Sequence, residues 1–347
     1  IWRSIRRYFQ YNKGYKIMDI KFWWKKAPDF MLFINFFFDF LILIKNLFIK
    51  KYQSRLKVIC VGNFTLGGSG KTPMVRYLRE VLTKKGYNCA VLLRGYKGKF
   101  KGPLIVDINT HLSSEVGDEA LLHAKDGLTI VSKSRVKGCK YIEKLDVDLI
   151  ILDDGFQNPS LIKDYNLIVV SSNKGIGNKL IFPFGPLRES IRNGREKVNM
   201  VIKLINSKQD HHSLSYVHKY FSKIIDVDYL TKINEDLSEN VVVYTGIADP
   251  DKLLSSIMNN NNVTSSFILK DHQEINESLA KKILIKSKEN NADIITTEKD
   301  IVRLLGAKEG SFKAKLFVKS NVVDLNIEAD EELLISDIEN SLKLIRK

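Results

Sequence analysis

The spacing of hydrophobic and polar positions changes twice along this chain of 347 residues. From residue 57, short continuous apolar runs alternate with segments whose apolar positions recur every three or four residues, the patterns of strands and helices. We predict strands at 57–61, 88–93, 129–132, 148–152 and 166–171, and helices at 72–85, 117–125 and 134–145. Continuous apolar strands are typical of buried parallel sheets. The alternation predicts an α/β fold, a parallel sheet with helices on both faces.

The segment before this series, residues 30–49, reads FMLFINFFFDFLILIKNLFI and is almost wholly apolar. On a helix, at about 100° per residue, Asn35, Asp39, Asn46 and Lys50 fall on one narrow stripe. About 20 residues can span a membrane, but Asp39 at the centre would cost roughly 2.5–3.5 kcal/mol. We predict a helix that lies in a membrane interface. A helix buried in the protein core and a single span are the alternatives.

A polar stretch after residue 205 separates the first series from a second one. We expect short strands near 216–228, then strands at 240–246, 264–269 and 293–296 and helices at 249–258 and 275–289. The predicted organisation has five parts: an extension of doubtful role over 1–17, the membrane-associated helix over 18–56, the core over 57–207, a linker with short strands over 208–239, and a smaller C-terminal α/β domain over 240–347.

The distribution of charge narrows the choice of partners. The net charge is +15, and residues 1–60 carry thirteen Lys and Arg against three Asp. Nucleic acid and anionic membrane both attract such an excess. Lys25 and Lys26 precede the apolar segment and Lys50 and Lys51 follow it, so we predict a membrane surface and no nucleic acid. Three scattered cysteines without metal-ligand spacing are typical of a reduced, cytosolic protein.

Residues 58–73, VICVGNFTLGGSGKTP, place a glycine-rich loop between a strand and a helix. The phosphate-loop signature G-x4-G-K-[ST] is met at Gly70, Lys71 and Thr72, whereas Thr65 replaces its leading glycine. Backbone N–H groups at such a helix start bind phosphate. We expect Lys71 to reach the β- and γ-phosphate oxygens of a nucleotide and the Thr72 hydroxyl to ligate Mg²⁺.

Acidic and basic side chains elsewhere fit a nucleotide site of this kind. In ILDDG an apolar strand ends at Asp153 and Asp154, the arrangement of a Walker B metal site. Because both cannot point inward from an extended strand, we predict different roles for them. In FPFGPLRES, Arg188 and Glu189 suit phosphate and metal contacts. In VGDEALL, Asp118 begins a helix, where it is either functional or a solvated first-turn acid.

The class of nucleotide-binding protein is narrowed by what the loops lack. A guanine-binding N-K-x-D motif fails, because Ile176 stands where its Asp would be. Partitioning ATPases carry a second lysine before the two glycines, where this chain has Leu66. A small-molecule kinase is favoured. His272, flanked by acids in KDHQE, is a further candidate, although a lone histidine is more often structural.

Eight motifs occur in one order from about residue 57 to 303: VGNFTLGGSGKTP, LLRGYKG, VGDEALL, VSKSRVKG, DLIILDDGFQN, GNKLIFPFGPLRE, DH and TTEKD. This set resembles the tetraacyldisaccharide 4′-kinase family, which uses ATP to phosphorylate the 4′-hydroxyl of an acylated glucosamine disaccharide 1-phosphate in lipid A biosynthesis. Thr65 is part of that family's loop. Asn158 departs from it, since the family has His there.

The resemblance implies a P-loop NTPase-type core with a smaller domain, and ATP and Mg²⁺ as cofactors. Its implied phosphate contacts are Thr65, Leu66, Gly67, Gly68, Ser69, Gly70, Lys71, Thr72 and Arg188, and its implied metal contacts are Thr72, Asp153, Asp154 and Glu189. Asp118 resembles the catalytic base and His272 its partner from the smaller domain. The implied location is the cytoplasmic face of the bacterial inner membrane, without an obligate protein partner. The alternatives are a membrane-associated P-loop ATPase, a nucleotide-binding regulator and a kinase for another lipid-linked sugar.

Overall fold

The computed structural model describes residues 21–25, 27, 30–68, 70–205, 210–232, 237–247, 250–270 and 273–343. The strands are β1 Lys57–Gly62, β2 Cys89–Leu93, β3 Leu104–Ile105, β4 Thr129–Val131, β5 Leu149–Asp153, β6 Tyr165–Ser171, β7 Met200–Ile205, β8 Ile224–Lys232, β9 Asn240–Thr245, β10 Asn262–Ile268, β11 Asp293–Thr297 and β12 Ser320–Glu328. The helices are α1 Phe30–Leu47, α2 Lys71–Lys84, α3 Ser113–Val116, α4 Asp118–Asp126, α5 Arg135–Ile142, α6 Ile191–Gly194, α7 Leu214–Tyr220, α8 Pro250–Met258, α9 Glu277–Glu289, α10 Glu298–Ile301, α11 Phe312–Lys319 and α12 Glu331–Leu342.

All twelve strands belong to one hydrogen-bonded sheet, in the order β10-β9-β11-β12-β8-β7-β6-β1-β5-β2-β4-β3. Neighbours in the described sheet run parallel except at β8–β12 and β3–β4. The predicted α/β fold with a mostly parallel sheet is therefore confirmed. We call residues 57–205 the first lobe and residues 240–328 the second lobe; β8 lies between them.

Both faces of the first lobe's sheet are covered, as the continuous apolar strands predict. Successive side chains of a strand point to opposite faces. On β1, Ile59 and Val61 join one hydrophobic core and Val58 and Cys60 join the other. Because β1 lies between β5 and β6, the loop that follows it leaves the middle of the sheet. In open parallel sheets, ligands bind at the carboxyl ends of such strands.

The structure corrects part of the predicted element order. Short strands were expected near 216–228; β8, Ile224–Lys232, confirms the second part of this range, but Leu214–Tyr220 is a helix. Leu214 and Val217, three positions apart, bury one face of that helix against the first lobe's core, and this spacing decides for helix over strand. Strands β7 and β12 and helix α12 were not predicted. Helix α12 returns to the first lobe, where Tyr165 donates a hydrogen bond to Asp337. The proposed domain boundaries stay a prediction.

Helix α1 packs on the first lobe through its polar stripe. The amide of Ile181 donates to Oδ1 of Asn35 over 2.6 Å, and Oγ of Ser190 donates to Oδ2 of Asp39 over 2.6 Å. The opposite, apolar face is exposed, with Phe33 at 80% and Leu47 at 81% of their full accessibility. None of the helices within the described ranges has both the length and the apolar character needed to cross a membrane.

Candidate active site

The glycine-rich loop, residues 63–70, connects the central strand β1 to helix α2. Gly70 caps this helix with φ 81°, in the left-handed region that favours glycine. A Cβ on Gly70 would lie 2.2 Å from Cδ1 of Leu204, so a larger residue would also force this leucine side chain to move. Gly70 gives α2 no side-chain cap, and the first N–H groups of a helix are the groups that bind anions. Ser69, one of the predicted contacts, lies outside the described residues.

The loop is braced by residues 181–190, which we call the bracing segment. The amide of Leu66 donates to the carbonyl of Pro186 over 2.7 Å, and the amide of Arg188 donates to the carbonyl of Phe64 over 2.8 Å. Between them, Thr65 forms an antiparallel bridge with Leu187. This extended pairing suits a β-branched residue, which explains why threonine stands where the general signature has glycine. Gly67, at φ 106°, provides the turn instead.

Asp153 closes strand β5 and faces the start of α2. It is 2% exposed, and its Oδ2 accepts a hydrogen bond from the Thr72 hydroxyl over 3.1 Å. Nε2 of the fully buried His123 lies 2.8 Å from the same oxygen. Two partners on one carboxylate oxygen fix its direction, which places a carboxylate and a hydroxyl side by side at the carboxyl end of β1 and β5.

Asp154 has different surroundings. Its φ of 58° turns the chain after β5, and its carboxylate receives Nη1 of Arg188 at 2.8 Å and 2.9 Å. Nζ of Lys71 lies 3.7 Å from Oδ1. Burial alone would raise the pKa of Asp154, but the charges of Lys71 and Arg188 outweigh it and hold this pKa below its usual value. Lys71 and Arg188 therefore share one ionised carboxylate between them.

Arg135 supports the turn that carries both aspartates. Its buried guanidinium donates to the carbonyl oxygens of Ser132, Asp153 and Asp154, over 3.2, 3.4 and 3.2 Å. Burial lowers the pKa of Arg135 from its ordinary value. These contacts hold the backbone of the two aspartates, so Arg135 supports the carboxylates rather than contacting them.

Among the predicted metal contacts, Thr72 and Asp153 are hydrogen-bonded to each other, whereas Glu189 pairs with Lys197. Within the described ranges, no three His, Cys, Asp or Glu side chains lie close enough to hold a metal ion by themselves. Glu189 is 3% exposed and accepts from Nζ of Lys197 over 3.1 Å, while its Oε1 is buried without a hydrogen-bond partner in the described part of the chain. The metal roles of Asp153, Asp154 and Glu189 stay predictions.

Asp118 begins helix α4 as predicted, but it is not a solvated first-turn acid. It is 6% exposed, and Nε of Arg303 from the second lobe donates to its Oδ2 over 2.9 Å. His272, the predicted partner of Asp118, lies outside the described residues. The structure thus places Asp118 at the junction of the two lobes, where a group from each can meet.

A second ionic contact crosses the same junction. Arg76 of α2 pairs with Asp126 at the end of α4, where its Nη2 lies 3.0 Å from Oδ1, and also with Glu298 of the second lobe. Lys125 lies 3.6 Å from Glu298. These side chains are partly exposed, unlike the Asp118–Arg303 pair.

Comparison with known proteins identifies the family. A sequence model described as tetraacyldisaccharide-1-P 4′-kinase, LpxK, matches residues 30–343. The chain belongs to this family. The tetraacyldisaccharide 4′-kinase of Dinoroseobacter shibae is 34% identical over 73% of this chain and 77% of its own. That of Rhizobium leguminosarum bv. trifolii is 31% identical over 90% of this chain and 88% of its own. The crystal structure of LpxK from Aquifex aeolicus in complex with ATP shares the fold, with a TM-score of 0.68 and 24% identity over 90% of this chain and 98% of that chain.

Three buried side chains of this LpxK-family site were missed by sequence reasoning. His123 and Arg135 lie in or beside motifs that were recognised, VGDEALL and VSKSRVKG, and a polar residue on the buried face of a helix was the available signal. Arg303 follows TTEKD by three positions. Its contact with Asp118 joins residues 185 positions apart, which no local pattern reports.

Proposed function

We propose that this chain is an ATP-dependent kinase that transfers the γ-phosphate of ATP to the 4′-hydroxyl of a tetraacyldisaccharide 1-phosphate, a late step of lipid A biosynthesis. Its family and the names of its relatives support this assignment. The observation that carries it is the meeting of Lys71, Thr72 and Asp153 at the carboxyl ends of β1 and β5, with Asp118 buried at the start of α4.

The donor half of the proposed site holds the phosphates of ATP. Charge moves between phosphate oxygens during transfer, so fixed cations and N–H groups lower the barrier by neutralising it. Lys71 and Arg188, which both contact the Asp154 carboxylate in this structure, supply the cations. The loop before α2 supplies the N–H groups. Because Asp154 holds both side chains beside the start of α2, they already lie close to the proposed phosphate position before ATP binds.

Mg²⁺ fits the residues of the donor half. This ion takes carboxylate and hydroxyl oxygens together with phosphate and water oxygens. Oγ1 of Thr72 and Oδ2 of Asp153 are such a pair. Oε1 of Glu189, which has no hydrogen-bond partner among the described residues, is a further candidate oxygen. We propose Thr72, Asp153, Asp154 and Glu189 as the residues that hold it. When bound, Mg²⁺ neutralises charge on the β- and γ-phosphates.

The acceptor half of the proposed site activates the sugar. An alcohol is a weak nucleophile at neutral pH, so a carboxylate within hydrogen-bond reach helps by accepting its proton. We assign this role to Asp118, with His272 of the second lobe as its partner. Because the second lobe contacts Asp118 through Arg303, closure of the two lobes assembles the acceptor half, excludes water and limits wasteful ATP hydrolysis.

We propose further that α1 binds the cytoplasmic face of the inner membrane, where the acyl chains of the substrate lie. The apolar face of α1 is exposed, and Phe48 immediately after it is 84% exposed. Lys45, Lys50 and Lys51 lie exposed near the same end, where they suit anionic headgroups. The bracing segment connects α1 to the glycine-rich loop, so a helix in the interface would hold the donor half close to the lipid.

Phosphate transfer tests the proposed activity. The purified protein is incubated in detergent with labelled Mg-ATP and an acylated disaccharide 1-phosphate, and label in the lipid is measured. We expect label only when a free 4′-hydroxyl is present, with the 4′-phosphorylated disaccharide as the matched control acceptor. ATP hydrolysis that ignores the acceptor contradicts the proposal. Equal transfer to other lipid-linked sugars would replace the substrate assignment.

Sedimentation with phosphatidylethanolamine–phosphatidylglycerol vesicles tests the membrane surface. The variant Phe33→Ser/Leu47→Ser/Phe48→Ser removes three exposed apolar side chains. It leaves intact the polar stripe of α1, where Asn35 and Asp39 contact the first lobe. Burying each such side chain stabilises binding by about 1.5–3 kcal/mol, so we expect at least about a tenfold loss of the vesicle-bound fraction. The matched control, Val318→Ser, changes an equally exposed side chain, 82% accessible, on α11. Equal vesicle binding by the triple variant and the wild type contradicts the proposal.

A further inference from the structure

Arg303 links the second lobe to the proposed catalytic base. It lies in the turn Val302–Leu304, directly after α10. Its Nε donates to Oδ2 of Asp118 over 2.9 Å. The side chains of Arg303 and Asp118 are 3% and 8% exposed, so the pair is almost completely removed from water. Charge-assisted hydrogen bonds in such surroundings are short and directional.

The guanidinium of Arg303 is itself held in place. Its Nη1 lies 3.0 Å from Oδ1 of Asp300, which has no exposed surface. Asp300 is fixed in turn by hydrogen bonds from the hydroxyls of Thr245 and Thr297, over 2.8 and 2.7 Å, and from the amide of Gly246 over 3.0 Å. Because Asp300 is itself held by these bonds, its contact with Nη1 restricts the orientation of the Arg303 guanidinium.

We propose that Arg303 is a positioning residue that orients Asp118 for proton acceptance in the kinase reaction. A carboxylate accepts a proton efficiently only when one oxygen is held within hydrogen-bond reach of the acceptor hydroxyl. Arg303 donates to Oδ2 and thereby restricts the rotation of the Asp118 carboxylate. Because Arg303 belongs to the second lobe, the base is oriented only when the two lobes are together. This inference rests on the proposed function.

A purely structural pair at the lobe junction is the competing explanation, and Arg76 serves as its control. Arg76 also crosses the junction, but it is partly exposed and pairs with Asp126 and Glu298. If Arg303 only ties the lobes together, removal of either arginine should have similar kinetic consequences. If Arg303 orients the base, only its removal should lower kcat.

The decisive experiment is steady-state kinetics of the full chain with Mg-ATP and the acylated disaccharide 1-phosphate. General acid–base catalysis contributes typically about 10²–10⁴-fold, so we expect Arg303→Met to lower kcat by about 10²-fold with KM for ATP within about threefold. Arg303→Lys, which keeps the charge without the guanidinium fork, should recover about tenfold of this loss. Arg76→Met should keep kcat within about threefold of wild type.

A double-mutant cycle measures whether Arg303 acts through Asp118. We expect Asp118→Asn and Asp118→Asn/Arg303→Met to have the same kcat within about threefold, because a base that is absent cannot be misplaced. If the kcat losses of Asp118→Asn and Arg303→Met multiply in the double variant, the proposal is overturned. It is also overturned if kcat of Arg303→Met is close to wild type, or if Arg76→Met loses as much kcat as Arg303→Met. If Arg303→Met unfolds, the same cycle with Arg303→Lys decides. A wild-type protein without transfer activity contradicts the proposed function instead.

Discussion

The donor and acceptor halves of the proposed site are built in different ways. In the donor half, Lys71, Thr72 and Asp153 follow two adjacent strands, β1 and β5, whose register pairs Val61 with Asp153. In the acceptor half, Asp118 takes its partner from the second lobe, 185 positions along the chain. One half is fixed by the sheet of a single lobe. The other exists only where two lobes meet.

In the proposed mechanism this difference has a chemical consequence. A donor half whose cations are already held by Asp154 would bind ATP before the sugar arrives. An acceptor half that depends on the junction has its base in place only when the lobes are together. Water is then less able to take the phosphoryl group in the absence of sugar. We therefore expect this division to limit ATP hydrolysis when no sugar is bound.

The largest predicted changes in rate should distinguish a variant of the donor half from a variant of the acceptor half. Lys71→Met should lower both sugar phosphorylation and acceptor-independent ATP hydrolysis by about 10³-fold, because the charge on the phosphates loses its fixed cation in either reaction. Asp118→Asn should lower sugar phosphorylation by about 10²–10⁴-fold but leave ATP binding and acceptor-independent hydrolysis near wild type. Both rates are measured with labelled ATP, with and without the lipid acceptor.

Thermal unfolding of both variants is the control for this comparison. Neither substitution should lower Tm by more than a few degrees, because Lys71→Met keeps the length of the side chain and Asp118→Asn keeps a hydrogen-bond acceptor for Arg303. A variant Asp118→Asn that loses ATP binding together with transfer would show that the two halves are not separate.

A smaller effect, on the free energy of unfolding, is expected at Gly70, the residue before α2. Gly70→Ala places a Cβ at φ 81° and 2.2 Å from Leu204. The conformation costs about 1–2 kcal/mol and overpacking adds about 1–3 kcal/mol, so the free energy of unfolding should fall by more than about 2 kcal/mol. Gly86→Ala is the matched control, since Gly86 has φ 93° with nothing within 4 Å of its Cβ. Urea unfolding gives both values, and equal losses would show that the contact with Leu204 relaxes freely.

The donor half was predictable because its residues lie in local patterns. Lys71 and Thr72 follow a glycine-rich loop, and Asp153 ends a continuous apolar strand. Strand order does not need to be known for this prediction, since the carboxyl ends of parallel strands share one edge of the sheet. The reason for Thr65 was not accessible, because its bridge to Leu187 depends on where the bracing segment folds.

For the proposed acceptor half, the sequence indicated Asp118 and His272 but not Arg303. VGDEALL identified Asp118, but the sequence left open whether this acid is solvated, because burial of a helix start depends on what packs over it. Arg303 packs on Asp118 from the second lobe. The burial of Asp118 and the positive charge beside it therefore both depend on tertiary structure. For the same reason Tyr216–Tyr220 was mistaken for strand: the hydrophobic pattern alone did not show which surface it would face.

The smallest effect concerns the contact that holds the two halves together. Asp126 ends the helix that begins with Asp118, and it pairs with Arg76 and Arg79 of α2. Burial alone would raise the pKa of Asp126, but the hydrogen bond and charge of Arg76 and the charge of Arg79 outweigh it and lower this pKa. A lowered pKa stabilises the folded state above the unfolded value of about 3.9, and the stabilisation is lost as pH falls through the folded value.

Asp126→Asn should therefore reduce the acid sensitivity of the fold. At pH 7 its free energy of unfolding should be lower than that of wild type by less than about 1 kcal/mol, because the pair is partly exposed. Between about pH 5 and pH 3 the wild type should lose more stability than the variant, as urea unfolding at each pH can measure. Asp146→Asn, at an exposed aspartate of the first lobe, is the control and should follow wild type. If the free energy of unfolding of Asp126→Asn fell with pH as steeply as that of wild type, the ion pair of Asp126 would not contribute to the stability of the fold.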